Sequence, residues 1–178
     1  MKEIGFIGLG NMGISMAKNL IENGFNLTGF DLNPKQLDTL KELGGTPVAT
    51  CKEVGEKADA VFIMVLSGAQ IKQALFGDSG LLASLKPGST IIVSATVHPS
   101  EIRELEQPIL DRGIHLVDTP VSGGKPGAEG GTLTLMTAAP QQVFDDIKPV
   151  LQAVGKNIFH VGEEVGLGQT VKASLQAL

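Results

Sequence analysis

Three groups of residues in this chain have types and spacings suited to chemistry. The first is Gly8-Leu9-Gly10-Asn11-Met12-Gly13, a G-x-G-x-x-G run. In such a run Gly8 permits a tight turn. Gly10 leaves the backbone bare where a diphosphate approaches, and Gly13 lets the next helix lie close to the preceding strand. Free N–H groups and the positive end of the helix dipole then face the phosphates. Asp31 follows at about the twenty-residue offset expected of an acid that accepts hydrogen bonds from the adenine-side ribose. A carboxylate there repels a 2′-phosphate, and Leu32, Asn33 and Pro34 bring no arginine. NAD is therefore favoured over NADP, although Lys35 keeps NADP open. The plainer reading is a glycine-rich turn and a solvent-exposed or helix-capping acid before Pro34. With strand, loop, helix and acid in order, the dinucleotide reading is the stronger.

The second group is the glycine-rich stretch from Asp118 to Leu133, which contains Ser122-Gly123-Gly124. A hydroxyl beside unhindered backbone donors suits a carboxylate. A flexible glycine connection explains the same residues equally well. The third group is Lys172 and Gln176, four residues apart and so on one face of a helix. A partly buried lysine exchanges protons near neutrality. From spacing alone, a surface lysine on an amphipathic helix is the simpler account.

These residues need elements to position them. Short apolar runs alternate with amphipathic stretches, the pattern of βαβ units and a parallel sheet covered on both faces. Strands are expected at Ile4–Ile7, Leu27–Phe30, Ala60–Val65, Thr90–Val93, Ile114–Val117, Leu133–Thr137 and Ile158–Val161. Helices are expected at Met12–Asn23, Pro34–Leu43, Pro99–Arg112, Gln141–Val154 and from Gly168 onward. The predicted class is α/β, a Rossmann-type doubly wound and mainly parallel sheet. Residues 1–165 form the nucleotide-binding domain, and 166–178 begin a long helix. No glycine or proline stop precedes Leu178, so that helix is expected to be unfinished and the chain to be part of a longer one.

Composition narrows the function classes. The net charge is −5 and the lysines are scattered, which argues against a nucleic-acid face. No apolar run is long enough to span a bilayer. The short, glycine-broken run after Met1 does not suit a signal peptide. Cys51 is the only cysteine, so no intramolecular disulfide forms, and a reducing cytoplasm fits. It has no basic cluster beside it, so a reactive thiol is not expected. His98, His115 and His160 show no metal-ligand spacing, and no metal is expected. Adjacent Asp145 and Asp146 read as solvated surface.

At Gly5–Gly13, Asp118–Leu133 and Gly166–Lys172, three ordered motifs along the whole chain, the sequence resembles the β-hydroxyacid dehydrogenase family. That family includes 3-hydroxyisobutyrate and 6-phosphogluconate dehydrogenases. The resemblance implies hydride transfer between nicotinamide and the hydroxyl carbon of a small hydroxy acid. It implies that Asn11 and Met12 contact the cofactor phosphates, that Val65 and Leu66 flank the cofactor, and that Thr96 lies near the nicotinamide. Ser122, Gly123 and Gly124 would bind the substrate carboxylate, and Lys172 would be the catalytic acid/base. It also implies a second, all-helical domain that completes the cleft and a homo-oligomer.

Two departures are informative. Gln176 stands where the family commonly has asparagine, and Val93-Ser94-Ala95-Thr96 replaces its acidic-serine-threonine stretch. Both resemble the branch that includes L-threonate dehydrogenases. Glutamine keeps the amide but moves it by one methylene, so the hydroxyl-binding geometry differs. An imine-reducing relative is disfavoured by lysine at position 172. A non-catalytic nucleotide-binding module is the alternative, at least for this stretch alone.

Overall fold

The computed structural model describes residues 1–178. Strand β1 (Glu3–Ile7) leads into helix α1 (Asn11–Glu22), and β2 (Asn26–Phe30) leads into α2 (Pro34–Glu42). Then come β3 (Thr46–Pro47), α3 (Cys51–Gly55), β4 (Ala60–Ile63), α4 (Gly68–Phe76) and a single 3-10 turn at Leu81–Ala83. The middle of the chain forms β5 (Thr90–Val93), α5 (Pro99–Leu110), β6 (His115–Asp118), β7 (Val121–Ser122) and α6 (Gly124–Gly130). It ends with β8 (Leu133–Ala138), α7 (Gln141–Val154), β9 (Gly155–Gly162) and α8 (Leu167–Gln176).

The strands form one sheet in the order β3-β2-β1-β4-β5-β6-β8-β7, with β9 also paired to β8. The first six are parallel. β8 runs antiparallel to β6 and β7, and β9 runs parallel to β8. The expected Rossmann-type sheet is therefore present, with an antiparallel extension. β1 has β2 on one side and β4 on the other, so the direction of strand addition reverses there. Ligands of open α/β sheets bind beyond the strand ends at such a reversal.

Side-chain alternation explains why both faces are covered. Ile4, Phe6, Ala60, Phe62 and Ile92 enter one core, shared with Leu20 of α1 and Ile147 of α7. Ile7, Val61, Ile63, Ile91 and Val93 enter the other, with Val54, Ile71 and Ile102 of α3, α4 and α5. A period of two thus divides each strand between the two layers. The apolar runs look continuous because neither face meets water.

Register fixes one functional edge. Ile7 lies beside Phe30 and Ile63, Ile63 beside Val93, and Val93 beside Asp118. The last residues of five parallel strands therefore form one line, and the segments leaving it share an edge.

Five elements differ from the sequence expectation. The strand expected over Ala60–Val65 ends at Ile63, which releases Val65 and Leu66 into the turn before α4. The glycine-rich stretch, which the sequence leaves open between a carboxylate-binding loop and a flexible connection, holds β7 and α6. Helices α3 and α4 have no counterpart in the periodicity reading. No helix is long and apolar enough to cross a membrane.

Candidate functional site

The β1–α1 turn is built for close approach. Gly8 has a φ of +94°, and a Cβ there would collide with the Met64 carbonyl of the neighbouring strand's exit. A Cβ at Gly13 would fall far inside 3.0 Å of the Gly8 carbonyl oxygen. At Gly10 the opposite holds, because nothing lies within 4 Å of where a side chain would start. Gly8 and Gly13 are therefore glycine for packing, and Gly10 leaves room for a ligand. Gly10 is also the N-cap of α1 and has no side-chain cap, so the first N–H groups of the helix have no side-chain acceptor.

Asp31 closes the other side. Its Oδ2 accepts from Leu9 N at 2.7 Å, and its Oδ1 accepts from Asn33 N at 2.7 Å. Each oxygen retains an acceptor site, enough for a ribose diol. The two amides fix the carboxylate's orientation and tie it to the glycine turn. Asn33 meanwhile caps α2 through Lys35 N, which directs the chain away from the carboxylate.

A cavity of about 500 Å³ opens between these parts. Gly8, Gly10, Asp31, Val65 and Leu66 line it, all of them site residues expected from the sequence. Asn11, Met12 and Gly13 form the first turn of α1 beside it. Thr50, Cys51, Gln70, Gln73 and Ser79 also line it, and the sequence reading missed them as a wall. Gln70 Oε1 accepts from Leu66 N at 2.7 Å, which holds the Val65–Leu66 turn against the cavity. The Cys51 thiol is pushed up to about 11 by burial. It is a wall group rather than a nucleophile.

The remaining expected residues lie farther along the same edge. Thr96 is exposed, just past the end of β5. Ser122 is half-buried and pairs with Thr134, on a stretch that continues outward from β6 beside β8. Gly123 and Gly124 follow it, exposed, at the start of α6. Lys172 is half-buried on α8 and belongs to none of the three ion pairs. Gln176 is exposed one turn later. No hydrogen-bonded cluster joins Ser122, Thr96, Lys172 and Gln176 directly.

One buried network does connect this region. Asp118 is fully buried and accepts from Gly166 N at 2.9 Å, Gln169 N at 3.2 Å and Gln169 Nε2 at 3.0 Å. Burial raises its carboxyl above the usual range, and these donors work in the opposite direction. Gln169 Nε2 also donates to the Ala95 carbonyl at 2.9 Å, while its Oε1 accepts from Val97 N at 3.0 Å. The sequence reading passed over both residues because they are 51 positions apart. Two of the three histidines have structural partners. His98 caps α5 in a capping box with Glu101, and His160 stacks on Phe144 and meets the Ala139 carbonyl at 2.7 Å.

Comparison with known proteins agrees with this geometry. Residues 3–162 match the family described as the NAD binding domain of 6-phosphogluconate dehydrogenase. An L-threonate dehydrogenase of Escherichia coli O6:H1 is 37% identical, over 98% of this chain and 58% of its own length. An NAD-dependent L-serine dehydrogenase of Pseudomonas aeruginosa is 37% identical, over 97% of this chain and 57% of its own length. The crystal structure of 3-hydroxyisobutyrate dehydrogenase from Salmonella typhimurium superposes with a TM-score of 0.93 at 33% identity, covering 99% of this chain and 61% of that one. The chain thus spans about three-fifths of the length of these relatives. A glycine turn closed to side chains at two positions and open at the third, an acid anchored beside it and a match over nearly the whole chain lead to one assignment. The chain belongs to the 6-phosphogluconate dehydrogenase NAD-binding-domain family, within the β-hydroxyacid dehydrogenases.

Proposed function

We propose that this chain is the cofactor-binding part of an NAD-dependent dehydrogenase acting on a small hydroxy acid. The observation that carries the reading is the pairing of the bare Gly10 position with Asp31, whose carboxylate is tied to Leu9 N. The residues fit the dinucleotide. Gly8, Gly10, Asn11, Met12 and Gly13 would hold the diphosphate, and Asp31 the adenine-side ribose. Val65 and Leu66 would flank the cofactor, and Thr96 would stand near the nicotinamide.

Bound NAD supplies a hydride acceptor. The other roles belong to the chain. Ser122, Gly123 and Gly124 bind the substrate carboxylate, and Gln176 contacts a hydroxyl. Lys172, in its neutral form, takes the proton from the reacting hydroxyl. In reduction, the protonated Nζ gives that proton back to the forming alkoxide. Holding acid, hydroxyl carbon and cofactor together lowers the barrier by ~7–11 kcal/mol in well-oriented systems.

The names of the relatives support an acid substrate, since threonate, serine and hydroxyisobutyrate are all small carboxylic acids bearing a hydroxyl. Residues 1–165 form the nucleotide domain and 166–178 lead toward a helical domain that completes the cleft and a homo-oligomer. The enzyme is cytoplasmic. The test is a panel of threonate, glycerate, serine and 3-hydroxyisobutyrate with a polypeptide of the relatives' full length, followed by NADH absorbance. Turnover with at least one of them is expected. NADH binding without turnover on any of them would reduce the protein to a binding module.

A further inference from the structure

We propose that Gln169 is a positioning residue that holds Thr96 and Lys172 in fixed relation, and that Asp118 locks Gln169 in place. The inference rests on the dehydrogenase reading above and adds residues that reading does not use. Its basis is the direction of three hydrogen bonds. The Ala95 carbonyl and the Asp118 carboxylate both require a donor, so both face Gln169 Nε2. Val97 N requires an acceptor, and it faces Oε1. The amide therefore has one orientation that satisfies every partner. Its bonds to Ala95 and Val97 bracket Thr96 on either side.

Gln169 precedes Lys172 by three residues on α8, so the two occupy neighbouring rows of the same helix. One side chain thus couples the segment placed beside the nicotinamide to the helix that carries the proton donor. Asp118 completes the coupling. It ends β6 and also accepts from Gly166 N and Gln169 N, which fixes the first turn of α8 to the sheet. Gln169 is 1% exposed and Asp118 is 0% exposed, so water cannot substitute for a lost partner.

The test has two arms. In this chain, Gln169→Met keeps the length and removes the amide. Hydrogen exchange at the Val97 amide should speed up about tenfold or more, with NADH affinity within about threefold of wild type. In a polypeptide of the relatives' full length, kcat should fall about 100-fold, the scale of a small misplacement. Asp118→Asn is the second variant. It replaces one of two acceptor oxygens with an NH2, so a donor must face either Gln169 Nε2 or the Gly166 and Gln169 amides. In both orientations one link between β6 and α8 is lost, and kcat should fall in the same way.

A merely structural role would lower the unfolding temperature without changing kcat per folded site. The proposal is overturned by unchanged Val97 exchange, by wild-type kcat in the folded variants, by loss of NADH affinity in step with kcat, or by failure of both variants to fold. A wild-type polypeptide inactive on every hydroxy acid removes the dehydrogenase reading and this proposal with it, and that result appears without any variant.

Discussion

A methyl group added at Gly10 meets nothing within 4 Å, whereas one added at Gly13 overlaps the Gly8 carbonyl oxygen. Gly10→Ala and Gly13→Ala should therefore behave oppositely. Gly10 has φ −66° and ψ −166°, a conformation open to alanine. Its replacement should leave stability unchanged or raise it by ~0.4–1 kcal/mol. The same methyl would stand where the diphosphate approaches the helix start. Hydrogen bonds to charged groups contribute ~1.5–3 kcal/mol each. Displacing two, about 3–4 kcal/mol at the lower end of that range, weakens binding by roughly 10²–10³-fold. Gly13→Ala must instead move the turn or the helix, at ~1–3 kcal/mol of folding stability or more. The chain has no tryptophan or tyrosine, so NADH emission can be followed without overlap during titration, and thermal unfolding reads the stability. Gly10→Ala that folds normally and binds NADH with wild-type affinity would refute the cradle.

Asp31→Ala removes two anchored hydrogen bonds together with the proposed ribose acceptor. NADH affinity should fall about tenfold or more, and NADPH should lose less. Paired titrations check this, and an unchanged NADH/NADPH preference would take Asp31 out of the ribose role. Lys172→Ala in the longer polypeptide should lower kcat by about 10²–10⁴ and leave NADH affinity near wild type. Steady-state kinetics beside a binding titration decides it. Cys51, pushed up to about 11, should alkylate slowly with iodoacetamide at pH 8, where the thiolate is roughly one part in a thousand. The rate, read by mass spectrometry, should climb about tenfold per pH unit toward pH 10. Because the raised value favours the protonated thiol in the fold, this group's contribution to stability should decline from about pH 9 toward pH 11. Rapid labelling at pH 8 would contradict the burial.

The first half of the site was legible because its determinants are local. The strand, the glycine turn and α1 are contiguous, and Asp31 follows at the end of the next strand. Gly24 and Gly44 marked helix ends, and both have positive φ. Elements without a local signal were missed. α3 has five residues, too few to show a helical period. α6 contains glycine at 124, 127 and 130 and proline at 126, a poor helix composition. Its buried face against α1 stabilises it, with Asn19 Nδ2 donating to the Ala128 carbonyl at 2.7 Å. Propensity lost there to tertiary packing. The Asp118–Gln169 network was invisible for a related reason. Its two halves lie on different elements, and sheet register together with the α8 start brings them together. Lys172 gave only a shared helix face with Gln176, and its proposed role rests on the resemblance rather than on spacing.

Titration of the wild-type chain with NADH, followed by cofactor fluorescence and repeated with NADPH, tests the central claim most directly. The account predicts a saturable, single-site complex with NADH that is tighter than the one with NADPH. A folded sample that forms no saturable NADH complex would contradict it.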